Sequence, residues 1–362
     1  MKIGILTVPF NNNYGGFLQA FALKRVLEGM GHKVMFINRQ RNRTRTPRSI
    51  LGDLLRGLHL LENKQKKLSK YTDHFQKKYL FPYTKKYYSS QELKRCVKYK
   101  FDAVIVGSDQ VWRYRYFNDW IDDFFCNFLE GTNISHFSYA ASMGSDEMDY
   151  PQDKIERCSN LLKDFKAISV REESSVKLLR DYFGVESAQV VLDPTFLLDT
   201  QAYVDLFKDK YTKPQDPYIF TYILDDSEEI KRSIVEFSRQ KNMPVVNIKA
   251  ETGNINEIDV IEPVEKWLSA IYYANYVITD SFHGTVFSLI FNKQFVVYGN
   301  IQRGLSRMQD LLGRVELTDR LFTSINSDEE KMIEDINWDS VNKQMTTFKE
   351  GSMSFLKTVL SS

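Results

Sequence analysis

Short apolar, β-branched runs recur along the 362-residue chain, each leading into a glycine-bearing or polar turn and then into a segment with apolar residues at helical spacing. Residues 2–8, 33–38, 101–106, 133–141, 167–170 and 188–192 read as strands, with amphipathic helices over 17–30, 151–162 and 171–184. A second series opens with YIFTYIL at 218–224 and continues through strands 245–248, 276–279 and 295–299, with helices over 227–241, 264–274, 286–291 and 306–312. Near-continuous apolar strands alternating with helices predict parallel sheets covered on both faces, hence an α/β fold. Three stretches break the alternation. Residues 39–100 begin with the charged run RQRNRTRTPR and then show helical patterns over 50–80 and 91–98, which marks an insertion. Residues 200–217 carry two prolines and many charges and read as a linker, and residues 338–360 read as a terminal helix. The expected division is a Rossmann-like domain over 1–205 with its insertion, a second over 215–330, and a tail over 331–362 that packs back on the first.

Composition sharpens this picture in two places. The net charge of +2 conceals an asymmetry: residues 39–100 hold 18 Lys/Arg against 4 Asp/Glu, a net of +14, and the remainder is acidic at −12. Such a basic segment suits pyrophosphate, an anionic lipid surface or a set of solvated helix faces, and no nucleic-acid module accompanies it. Cys96, Cys126 and Cys158 are an odd number without metal or CxxC spacing, which predicts a reducing, cytoplasmic setting and no metal site. No run reaches 18 apolar residues, and the start MKIGILTVPF leads into NNNYGG as a first strand would.

Chemistry concentrates at the carboxyl ends of the expected strands, where open α/β sheets bind ligands. The stretch NYVITDSFHGTVF places Asp280, Ser281, His283, Gly284 and Thr285 in a tight strand-to-helix turn, where free amides and the helix dipole favour an anion. His283 adds the one side chain that exchanges a proton near neutral pH, although a histidine in a turn is also an ordinary polar residue. Asn12, Asn13, Tyr14, Gly15 and Gly16 follow the first strand, Asp109 and Gln110 the third, and Ser142 and Gly144 the fourth. Arg171 stands at the next strand–helix junction, as an ion-pair partner or as a bidentate clamp for carboxylate or phosphate.

Six motifs in order, NNNYGGFLQAFAL, FDAVIVGSDQVW, SYAASMG, ISVREESS, VVLDPTFLL and YVITDSFHGTVFSLI, resemble the polysaccharide pyruvyl transferase family. The resemblance implies two Rossmann-like domains facing across a cleft, the GT-B-like arrangement. It further implies transfer of the pyruvyl unit of phosphoenolpyruvate to a sugar, commonly as a cyclic ketal, in capsular, exopolysaccharide or cell-wall polysaccharide synthesis. By the same resemblance His283 is the characteristic histidine, Arg171 the phosphoenolpyruvate-binding arginine and Arg303 the nearest candidate for a further basic residue. Phosphoenolpyruvate is then a co-substrate, with no separate cofactor, and the acceptor is a glycan on a polyprenyl pyrophosphate at the inner face of the membrane. Ser142 and Gly144 are expected to bind the donor with Asp280, Ser281, Gly284, Thr285 and Arg303. Some members carry GIGP where this chain has SMGS at 142–145, so which backbone amides hold phosphate does not follow from the resemblance.

Two rival readings use the same residues. A nucleotide-sugar glycosyltransferase of this architecture would use acidic residues beside a glycine-rich helix start, and Glu257 and Glu265 have an E-x₇-E spacing, though ahead of the His283 strand. A non-catalytic sugar or phosphate binder would bind ligand without releasing phosphate.

Overall fold

A computed structural model describes residues 1–10, 13–42, 68–225, 227–248, 261–299, 304–322 and 335–361. The first half is built on strands β1 (Lys2–Leu6), β2 (Lys33–Phe36), β3 (Ala103–Val106) and β4 (Ser135–Ser138), all parallel, in the order β2-β1-β3-β4. Backbone bonds from Ala141 to Ser169 and from Arg171 to Ala141 carry the sheet on to the short pair β5 (Ser169–Val170) and β6 (Gln189–Val190). The second half holds β7 (Ile219–Tyr222), β8 (Val245–Asn247), β9 (Tyr276–Thr279), β10 (Gln294–Tyr298) and β11 (Leu321–Phe322) in the order β11-β10-β9-β7-β8, again parallel throughout. The alternation read from the sequence is therefore the architecture, and parallel pairing throughout requires every strand to return by a crossover.

The two halves meet on helix α1 (Tyr14–Gly29), which starts three residues earlier than its apolar pattern predicts because Asn13 caps it by accepting from the Gly16 amide at 3.2 Å. Its side chains are buried from Tyr14 to Leu27 with few exceptions, as expected of a helix packed on several sides rather than one. Tyr14 stacks on Trp267 at 5.4 Å and donates its hydroxyl to the Glu262 carbonyl at 3.0 Å, and Phe21 touches Tyr203, which meets Phe287 edge-on at 5.0 Å. One apolar core thus runs from Ile3 and Ile5 beneath the first sheet to Phe220 and Val277 in the second.

Two expectations need correction. The first part of the expected linker, Thr200–Phe207, is a helix, because Tyr203, Leu206 and Phe207 are spaced to bury one face. The prolines fall later, in the coil that leads to β7. Within the insertion, residues 43–67 lie outside the described residues. Lys70–Phe75 is helical and continues as the wider turn Gln76–Leu80, and Phe75 packs on Phe21 at 6.3 Å, so this part of the basic segment joins the core. Helix 91–98 resolves into Ser90–Leu93 and the tighter Lys94–Tyr99, ended by Lys100 at a left-handed φ of 53°. The terminal helix Trp338–Ser361 lies on the first half, where Ser352 accepts from the Leu192 amide at 2.9 Å and Phe355 meets Tyr139 at 6.3 Å.

Candidate active site

After β9 the chain turns at Asp280 and Ser281 into helix α2 (Phe282–Ile290), four residues earlier than predicted, so His283 lies in the first helical turn. Ser281 caps the helix, and Thr279 accepts from the Ser281 amide at 3.0 Å while donating to the Tyr222 carbonyl at 2.7 Å. Gly284 is obligatory here, since a Cβ would stand 2.3 Å from the Thr279 hydroxyl. The Asp280 carboxylate accepts from the Leu224 amide at 2.6 Å and the Asp225 amide at 2.8 Å, so it locks the β7 turn to the β9 turn. Thr285 is fully buried and donates back to Ser281, away from any open space.

His283 is 7% exposed, and its ring rests on α1: a Cβ on Gly15 would come within 2.0 Å of Nδ1. On its other side Nε2 is 3.7 Å from the Asp193 carboxylate. Asp193 is a buried hub. It accepts from Ser108 at 2.9 Å, from Arg171 Nη1 at 3.0 Å, and from the Thr195 amide and hydroxyl at 3.0 and 2.7 Å. Burial would push its carboxyl up, yet His283, Arg171 and Thr195 hold it well below the usual carboxylate range. Arg171 in turn lies 3.6 Å from Glu172 and its guanidinium covers the Phe282 ring at 4.1 Å. Burial lowers its pKa, but Asp193 and Glu172 outweigh that and raise it.

Arg307 is the side chain the sequence reading missed. It rises from helix α3 (Leu305–Gly313), is 6% exposed, and reaches the same Phe282 ring at 5.6 Å. Gly304 ahead of it has φ +85°, and a Cβ there would fall 2.6 Å from the guanidinium. Burial and the neighbouring Arg171 push its pKa down to about 10. A buried cation carrying that cost beside a helix N-terminus is suited to a dianion.

Both halves line a cleft of about 300 Å³. Of the expected residues, Asn13, Gly16, Asp109 and Gln110 face it from the first half, and Asp280, Ser281 and His283 from the second; Arg307, Met308, Tyr222, Phe10, Tyr116 and Arg41 complete much of its wall. Arg171 stands behind that wall in a much smaller space with Glu172, Asp193 and Phe282. Tyr14 is a packing residue between the halves and Gly15 a rest for the imidazole, so neither lines the cleft, and the same holds for Gly284 and Thr285. Ser142 accepts from the Gly144 amide at 3.0 Å, and a Cβ on Gly144 would lie 2.4 Å from the Gln110 side chain, so this turn supports Gln110 from behind. Asn12 and Arg303 lie outside the described residues. Glu265 is buried 3.3 Å from Lys210 and away from the cleft, and Glu257, its partner in the E-x₇-E spacing, lies outside the described residues. Among the described residues no group of His, Cys, Asp and Glu could hold a metal ion.

Two parallel sheets facing across a cleft, with an imidazole and an arginine at a helix start, define a GT-B-like fold, and solved structures agree. The chain superposes on the UDP-GlcNAc 2-epimerase of Methanocaldococcus jannaschii with a TM-score of 0.53 at 13% identity over 100% of both chains. It matches the Neisseria meningitidis epimerase bound to UDP-GlcNAc at 0.52 and 11% over 100% of both, and Arabidopsis thaliana UGT89C1 complexed with UDP-L-rhamnose at 0.51 and 10% over 99% of this chain and 98% of that one. A comparison with curated proteins gives no match. The family model for polysaccharide pyruvyl transferase covers residues 13–302, and the chain belongs to that family.

Proposed function

We propose that this protein transfers the pyruvyl unit of phosphoenolpyruvate to a sugar as a cyclic ketal during polysaccharide synthesis, with phosphoenolpyruvate as co-substrate and no other cofactor. The observation that carries this reading is the convergence on one cleft of His283, the amide end of α2 and Arg307, opposite Asn13, Asp109 and Gln110. A three-carbon donor bearing a phosphate and a carboxylate needs two anion clamps and a proton source within a few ångströms. The helix start and Arg307 supply the first, and His283 the second. Addition of a sugar hydroxyl to C2 of the donor with protonation of C3, then attack by a second hydroxyl with loss of phosphate, yields the ketal. Arg171 supports this wall through Asp193 and Phe282 instead of clamping the donor directly.

Incubation with phosphoenolpyruvate and a panel of free and lipid-linked glycans, read by phosphate release and by the pyruvyl mass increment, tests the activity; a nucleotide-sugar arm tests the rival. His283→Ala should fold normally and lose about 10²- to 10⁴-fold in rate. Near-normal turnover would remove His283 from the chemistry. We assign the acceptor to a polyprenyl-pyrophosphate-linked glycan handled at the cytoplasmic membrane face, because Arg41 enters the cleft from the basic segment. No helix among the described residues is long and apolar enough to cross a membrane. Binding to anionic vesicles should therefore be peripheral and weaken with salt; salt-independent binding would contradict it.

A further inference from the structure

We propose that Asp109 is the general base that activates the acceptor hydroxyl, with the pyranose ring seated against Tyr116; this rests on the donor reading above. Asp109 faces the cleft at the carboxyl end of β3, across from His283, and is 6% exposed. One of its oxygens accepts from the Gln110 amide at 2.9 Å, and the other has no hydrogen-bond donor among the described residues. Its φ of +79° lies in the left-handed region, which Asp tolerates when its side chain bonds the adjacent backbone, and this turn aims the carboxylate at the cleft. The Asp109 charge also acts on both Arg171 and Arg307, which sets it beside the proposed donor clamp.

The neighbouring residues form a seat for a sugar. Arg113 donates to the Gln110 side chain and, at 3.0 Å, to the Tyr116 hydroxyl, and its guanidinium lies 4.8 Å from the Tyr116 ring centre. One buried cation thereby fixes an amide that can bond sugar hydroxyls and an aromatic face, 44% exposed, that can cover a pyranose.

The proton inventory closes with these two groups. In addition, the first hydroxyl gives its proton to Asp109 as its oxygen bonds to C2, and protonated His283 gives its proton to C3. In closure, the second hydroxyl gives its proton to the now neutral His283 as its oxygen bonds to C2. The C2–O bond to phosphate breaks, and Asp109 returns its proton to the departing phosphate. Enzyme and charges are restored, and the products are the ketal and hydrogen phosphate.

The test uses the full chain with phosphoenolpyruvate and p-nitrophenyl glycosides of galactose, mannose, glucose and N-acetylglucosamine. Asp109→Asn and Asp109→Gly should lower kcat by about 10²- to 10⁴-fold and leave phosphoenolpyruvate binding, read by thermal shift, within a few-fold. Glycine suits the left-handed backbone, so that variant guards against a folding failure. Formate should restore turnover to Asp109→Gly by entering the vacated space, a rescue that a structural role would not allow. Unchanged kcat in either variant, or a loss that formate does not relieve, overturns the assignment to Asp109. A wild-type chain that releases no phosphate with any glycoside overturns the donor reading itself.

Discussion

Two arginines share the ring of Phe282 and do opposite work. Arg171 approaches it at 4.1 Å with Asp193 and Glu172 beside it, and those carboxylates more than offset its burial. Arg307 approaches at 5.6 Å, faces the cleft, and has its charged form disfavoured by burial and by Arg171. The first is held in the folded chain by two carboxylates. The second carries an electrostatic cost that an anionic donor would relieve, which is the usual relation between a binding site and the scaffold around it.

The largest expected effect comes from breaking the settled side. Asp193→Ala should cost about 3–5 kcal/mol of stability, because Arg171 is left buried without its main partner. Urea unfolding measures this; a loss of under about 1 kcal/mol would mean that Arg171 finds another anion. The same carboxylate predicts the pH response. Its folded pKa is depressed, so its contribution is complete above the ordinary carboxylate value of about 3.9 and is lost as pH falls through that value toward the folded one. The stability gap between wild type and Asp193→Asn should narrow below about pH 5. A gap constant down to acid denaturation would contradict the depressed carboxyl.

Removing the cleft-facing partner of the comparison should act mainly on binding. Arg307→Met is expected to weaken phosphoenolpyruvate binding by about 10- to 150-fold, equivalent to roughly 1.5–3 kcal/mol, a larger effect than its shift of the urea midpoint. Joint loss of stability and binding would make Arg307 a structural residue. Gly15→Ala is the finest probe, since its added methyl occupies the place of the His283 ring. It should cost roughly 1–3 kcal/mol by overpacking and lower kcat more than donor affinity. Unaltered kcat would show that the ring can move without consequence.

This division also explains what could be read before any coordinates. Strand and helix alternation was legible because parallel strands buried on both faces stay apolar, and each motif lies at a strand end for the same topological reason. His283 stood out because a helix start offers little reason for an imidazole other than polarity or proton transfer. Asp193 lay within a quoted motif, DPTFLL, but a carboxylate before proline looks like a cap, and it does cap Thr195. That it also gathers Ser108, Arg171 and His283 depends on segments 85, 22 and 90 positions away. Arg307 had a faint signal in Gly304, a break just ahead of a helix, yet an arginine in LSRMQDLLG reads as a solvated face. The Thr200–Phe207 helix was obscured by downstream charges and prolines that end a helix without preventing one.

The rest of His283 on Gly15 has a consequence for how this site comes into being. The imidazole is encoded in one half of the chain, but its seat is the α1 backbone and its nearest carboxylate is Asp193, both in the other. A fragment spanning residues 215–330 would own the histidine and lack both the backbone and the carboxylate that seat it. Parting the halves would take the imidazole from both at one stroke.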